Sequence, residues 1–258
     1  MPKTPDFVES SLSSCLNNFL SCLPTNYKKS FTLAEVLVTL TIIGVVCALI
    51  IPPLKVKHDE QVRVAKVKNF YSNLKMAYDS LILTKGSPKY WGTNNWTAAN
   101  AEKLYESLFE PYFKIEKACG VTNEGNCITN EKYKTLSGKE HNSYGTMKAY
   151  YKILLKDGSQ VWFRGGAPED LTRFVGVYYD VNGSAGPNQA GVDLFDFQGR
   201  ENTIEPNGLE GAFDMSCTKD PNVELSGFTC TSWVIYKGNM EYLHCDDLKW
   251  DGKQKCGK

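Results

Sequence analysis

The sequence has no net charge to work with: 29 Lys and Arg stand against 29 Asp and Glu. Balance of that kind excludes a protein that coats nucleic acid or acidic lipid by bulk attraction, so nucleic acid is not indicated as a partner. There are three histidines and no Cys-x-x-Cys pair, so the ligand spacing of a structural zinc site is missing. His58, His141 and His244 adjoin no nucleophile motif. Gly138 and Ser143 sit in no Gly-x-Ser-x-Gly frame, and Gly165-Gly166 matches no dinucleotide fingerprint. Internal repeats and low-complexity tracts are absent as well. We expect no catalytic residues and no enzyme.

What the sequence does have is one long apolar run. Phe31 to Ile51 reads FTLAEVLVTLTIIGVVCALII, a stretch in which Glu35 is the sole charged residue. At about 1.5 Å per helical residue it spans a hydrocarbon core of about 30 Å. A cleaved secretory signal has a shorter run and a small-x-small exit, whereas this one ends in Pro52-Pro53. Charge counting does not orient it: Lys28 and Lys29 precede the run, but Lys55, Lys57, Arg63, Lys66 and Lys68 follow.

Beyond the prolines, Val67, Phe70, Tyr71, Leu74, Tyr78 and Leu81 recur at three- and four-residue steps. That is the apolar stripe of a helix, and Gly86-Ser87-Pro88 ends it. The two stretches form one long helix, half transmembrane and half amphipathic. Residues 98–113 read as a short amphipathic helix. Residues 149–155 and 160–163 flank Lys156-Asp157-Gly158-Ser159, a hairpin signal. Residues 173–181 predict a third strand and 193–197 a fourth. Residues 199–258, rich in Gly, Pro, Asn and Cys, predict loops with one short strand at 233–236. The fold class is α+β: a long N-terminal helix packed on a small antiparallel sheet, with a disulfide-tied C-terminal loop region.

Nine cysteines are present, and six of them follow the apolar run: Cys119, Cys127, Cys217, Cys230, Cys245 and Cys256. An even set of this kind suits disulfides in an oxidising compartment. Of the fifteen connectivities six cysteines allow, we take neighbour pairing: Cys119–Cys127, Cys217–Cys230 and Cys245–Cys256.

Lys29-Ser30-Phe31-Thr32-Leu33-Ala34-Glu35-Val36-Leu37-Val38 resembles the prepilin N-terminal motif of type IV pilins and type II secretion pseudopilins. The resemblance implies a leader of residues 1–30, an assembly helix over 31–52, an amphipathic continuation over 53–86 and a pilin-like globular domain over 87–258. It implies cleavage between Ser30 and Phe31 by a prepilin peptidase and N-methylation of Phe31. Ser30 stands where the family usually has Gly. It further implies a single pass through a bacterial inner membrane, a periplasmic globular domain, and later residence in a pilus or pseudopilus among other pilin or pseudopilin subunits. Length favours a minor subunit over a major one. Within lipid a carboxylate costs about 2.5–3.5 kcal/mol on insertion scales, so Glu35 asks for a partner. The resemblance supplies one, the terminal ammonium of an adjacent subunit, which makes Glu35 an assembly residue. The rival reading is an uncleaved, signal-anchored binding or enzymatic domain.

A second motif runs from Asp180 to Asp193, DVNGSAGPNQAGVD. Closely spaced Asp and Asn oxygens between glycine turns suit a hard cation such as calcium. The expected ligands are Asp180, Asn182 and Asp193, with Asp196 as a fourth. The spacing departs from an EF-hand loop, and a structural turn explains the same residues.

Overall fold

The structure, a computed structural model, describes residues 32–167, 172–209 and 211–257. The chain divides after Leu54. Helix α1, Leu33–Lys85, holds Pro52 and Pro53 inside its span. From Thr32 to Leu54 every residue is exposed. Leu33, Leu40 and Leu49 are 79%, 61% and 72% open, although all are apolar. Among the described residues α1 is the helix long and apolar enough to cross a membrane. Thr39 and Thr41 turn their hydroxyls back onto the carbonyls of Val36 and Leu37, at 3.0 and 2.7 Å. Their polar groups are thereby satisfied within the helix, as an apolar solvent requires.

In the unit after Leu54, the apolar stripe of α1 is buried: Val64, Val67, Phe70, Leu74, Ala77, Tyr78 and Leu81. Helix α1 stops at Gly86, whose φ of +76° suits glycine and whose N–H reaches the Ile82 carbonyl at 2.9 Å.

The stripe lies on a six-stranded antiparallel sheet in sequential order. Its strands are β1 (Ile115–Gly120), β2 (Tyr151–Leu155), β3 (Gln160–Gly165), β4 (Val175–Asp180), β5 (Leu194–Gly199) and β6 (Ile204–Pro206). Every residue of β3, β4 and β5 is buried, so both faces are covered. One face carries Ile153, Val161, Phe163, Val177, Tyr179, Phe195 and Phe197 against α1. Phe70 stacks on Tyr179 at 4.1 Å and Tyr71 on Phe197 at 5.5 Å. The other face sets Trp162 and Tyr178, cross-strand neighbours, beneath Tyr133, Tyr144, Tyr150 and Phe228. Lys152 is buried there too, donating to the Val121 and Met147 carbonyls at 2.6 and 2.7 Å. Burial pulls its ammonium down to about 8.

Four segments differ from the sequence reading. Residues 233–236 belong to a helix, Cys230–Tyr236, and not to a strand. Trp233 stacks there on Phe213 at 4.3 Å, and Cys230 is bonded to Cys217, so packing overrides strand preference. The helix begun at Ala98 is regular to Leu104 and then changes pitch, through a π turn at Tyr105–Phe109 and a 3-10 turn at Glu110–Tyr112. Strands β1 and β6 sit at the two edges of the sheet and carried no period-2 signal. Strand β1 is irregular in register, and β6 is three residues ending in Pro206.

Leu74 is fully buried and Leu83, one face away on the same helix, is 86% exposed. Leu74→Ala is expected to lower unfolding free energy by about 2–5 kcal/mol. Leu83→Ala should stay within about 0.5 kcal/mol of wild type. Denaturant titration of both variants checks the assignment of the two faces.

Candidate functional site

Residues Ser30 and Phe31 lie outside the described residues, so the expected cut and methylation are not placed by the structure. Glu35 is placed. It is the third residue of α1, and Thr32 stands just before the helix. The Thr32 N–H and hydroxyl both donate to Glu35 Oε2 at 2.9 Å, and the Glu35 N–H donates to Thr32 Oγ1 at 3.2 Å. This reciprocal pair is a capping box, and it satisfies free amides at the helix start. The Thr-x-x-Glu spacing of Thr32 and Glu35 is the sequence signal for it. Within a single subunit, then, Glu35 already has polar contacts. They close the first turn of the helix and hold the carboxylate at its N-terminal end, where the helix dipole favours negative charge.

The Asp180–Asp193 loop leaves the end of β4 and re-enters at β5. Both carboxylates are fully buried. Asp180 Oδ1 accepts from the N–H groups of Asn182 and Gly183 at 3.1 and 2.8 Å, and Oδ2 accepts from the Tyr133 hydroxyl. Asp193 accepts from the N–H groups of Asn188 and Gln189 at 2.8 and 2.6 Å. The Val181 N–H donates to the Asp193 carbonyl at 2.9 Å, which closes the loop base. Burial pushes both carboxyls up, and the charge of Asp193 raises Asp180 further. The backbone donors and Arg63 of α1 oppose this at Asp193. Lys66 of α1 donates to the Val181 carbonyl at 3.1 Å and so anchors the loop to the helix.

Asp180, Asn182 and Asp193 therefore come together, with the Asn182 amide also opposing the upward shift of the Asp193 carboxyl. The side-chain oxygens of Asn182 and Asn188 are buried without a hydrogen-bond partner. Among the described residues no set of three or more His, Cys, Asp or Glu side chains is placed to hold a metal. A cation here would need those two amide oxygens beside the carboxylate pair, a mixed donor set that hard cations accept.

Asp196 works elsewhere. It is paired across the sheet with Tyr178 in β4, its Oδ2 accepts from Asn207 at 2.8 Å, and its N–H donates to Thr231 at 3.0 Å. Burial pushes its carboxyl up to about 6, against the opposing charge of Arg164 and the hydrogen bonds of Asn207 and Gln198. Arg164 is held in turn between aromatic faces, 4.4 Å from the Trp96 ring centre and 5.7 Å from that of Tyr178.

The six downstream cysteines form three disulfides, each between sequence neighbours: Cys119–Cys127, Cys217–Cys230 and Cys245–Cys256. The first fixes the edge strand β1 to the loop that follows it. The other two brace the C-terminal region.

The family described as the prokaryotic N-terminal methylation motif matches residues 25–51. The chain thus carries the prepilin signature of type IV pilins and pseudopilins at the head of α1. A long apolar helix, an antiparallel sheet and disulfides in the C-terminal region accompany it, a pilin-like arrangement. No curated protein and no solved structure matches the chain.

The Asp196 carboxyl gives a pH test. Its folded value of about 6 lies above the unfolded value, so the native state holds the proton over a range where the unfolded chain has lost it. Stability should fall as pH rises from about 4 to 6, by roughly 3 kcal/mol from this residue at about 1.4 kcal/mol per pH unit. Asp196→Asn is expected to flatten that part of the profile, read by denaturant titration at each pH.

Proposed function

We propose that the chain is a structural subunit of a type IV pilus or type II secretion pseudopilus, processed at Ser30–Phe31 and assembled through α1 as a minor subunit. The observation that carries this is Glu35, four residues after Phe31, at the head of an apolar helix that has no protein cover from Thr32 to Leu54. An apolar helix of that kind is stable in lipid, and its other apolar environment is a bundle of like helices. Transfer from one to the other is assembly, and it requires no chemistry by this chain. The inner membrane, a prepilin peptidase and other pilin-type subunits are the partners this reading requires, with the globular domain on the periplasmic side.

Glu35 has two roles in the proposal. Before assembly it closes the capping box with Thr32. In the filament it meets the methylated ammonium of a neighbouring Phe31, and the pair forms at one stagger of the helices. In mass spectrometry of the mature protein we expect an N-terminal methyl-Phe31. An intact N-terminus in cells with an active prepilin peptidase would instead favour the signal-anchored alternative. Glu35→Ala should lower incorporation into filaments by about tenfold or more, the loss of one ion pair of about 1.4 kcal/mol or more, with membrane levels unchanged.

For the Asp180–Asp193 loop we propose calcium. The supporting observation is the pair of buried carboxylates together with the unpartnered oxygens of Asn182 and Asn188. A cation there would offset the repulsion between Asp180 and Asp193. Calcium at about 100-fold its Kd should stabilise the protein by about 2.7 kcal/mol, and Asp193→Asn should lose that response. An identical melting temperature in calcium and in chelator would leave the loop as a turn.

A further inference from the structure

Two C-terminal disulfides converge on one residue of the Asp180–Asp193 loop, Gly191. Its φ is +75°, and its N–H donates to the Leu194 carbonyl at 3.0 Å. It stands two residues before Asp193, in a turn where the Val192 and Asp193 N–H groups both donate to the Gln189 carbonyl, at 3.0 and 3.1 Å. The Cys217–Cys230 bond is packed against it: a Cβ added to Gly191 would meet Cys230 Sγ at 3.2 Å and the Gly227 carbonyl oxygen at 2.9 Å. The Gly191 carbonyl accepts from the hydroxyl of Tyr242, a buried residue, at 2.7 Å.

Tyr242 belongs to a 3-10 turn, Glu241–Leu243, which the Cys245–Cys256 bond ties down. The Cys256 N–H donates to Glu241 Oε2 at 2.9 Å, and the Leu243 carbonyl accepts from Lys219 Nζ at 2.8 Å. His244 Nε2 lies 2.9 Å from Glu60 Oε1 of α1. The two bonds differ in access. Cys230 is fully buried, whereas Cys245 and Cys256 are both half-buried. Thiol–disulfide exchange needs a sulfur that the attacking thiolate can reach. Cys245–Cys256 is therefore the bond open to a dithiol.

We infer that the Cys245–Cys256 bond regulates the Asp180–Asp193 loop, which keeps its closed form while the bond stands and loosens when it is reduced. Reduction breaks the S–S bond and leaves two thiols. A dithiol supplies the two electrons and two protons and becomes a disulfide itself. Cys256 then no longer holds Glu241, the turn loses its tie, and Tyr242 withdraws its hydroxyl from Gly191. The turn that aims the Asn188 and Gln189 N–H groups at Asp193 slackens with it. For calcium the consequence is weaker binding in the reduced protein, and that consequence alone rests on the calcium reading above.

The test follows backbone hydrogen exchange of the full chain by mass spectrometry, in neutral detergent micelles with a chelator present. Cys245→Ser/Cys256→Ser and Tyr242→Phe are compared with wild type. The second variant keeps every disulfide and removes only the hydroxyl. Exchange over residues 186–193 is expected to be at least tenfold faster in both variants, with β2 and β3 unchanged, since local opening leaves the other segments protected. Unchanged exchange over 186–193 in either variant would overturn the inference, as would an equal rise in the loop and the strands. Calorimetric titration with calcium should show at least tenfold weaker binding in both variants, and equal affinity in all three proteins would count against the regulation. Wild-type protein that binds no calcium would overturn the calcium reading alone, because the exchange measurement contains none.

Discussion

Phe70 lies flat on Tyr179, with ring planes 2° apart, and much of the globular unit depends on that contact. Around it Phe113 and Phe197 close in at 6.1 and 5.6 Å from the Phe70 ring. Stacked and tilted aromatic pairs contribute beyond the area they bury, and their geometry is specific. The contact fixes the rotation of α1 about its own axis. With Phe70 against the sheet, Val67, Leu74, Tyr78 and Leu81 must follow it inward, while Asn69, Met76 and Leu83 face out. Tyr78 completes the seam by donating to the Arg200 carbonyl at 2.6 Å. The same rotation carries Lys66 to the Val181 carbonyl and so reaches the Asp180–Asp193 loop. One aromatic stack thus couples the helix, the sheet and the buried acidic loop.

The sheet meets two different demands with one set of strands. Its α1 face is an aromatic and aliphatic surface. Its other face mixes Trp162 and Tyr178 with Arg164, Asp180 and Asp196, all buried. Charged groups at that depth need partners. Arg164 has its aromatic sandwich, Asp180 the Tyr133 hydroxyl and Asp196 the Asn207 amide. The second face is therefore held together by specific polar pairing as much as by apolar area. Changes there carry a larger penalty per atom than changes against α1, because an orphaned buried charge costs more than a lost methyl group.

Much of this was legible in the sequence. The period of Val67, Phe70, Leu74, Tyr78 and Leu81 gave the buried face of α1, and the hairpin at Asp157-Gly158 followed from its turn chemistry. Glu35 stood out because it was the one charge in an apolar run. The edge strands were hidden, since β1 reads IEKACG and β6 only IEP, and neither is long enough to show a period. The helix at Cys230–Tyr236 was hidden for the opposite reason. Its residues favour strands, and only the packing of Trp233 on Phe213 decides otherwise.

The three disulfides join cysteines separated by 8, 13 and 11 residues. Each closes a loop on its own stretch of chain, and no loop encloses another. A polypeptide emerging vectorially through a membrane would expose both thiols of one bond before the first thiol of the next. Order of emergence alone then selects the native pairs from the fifteen arrangements that six thiols allow. An oxidant acting during export would suffice, with little call for an enzyme that reshuffles mispaired bonds.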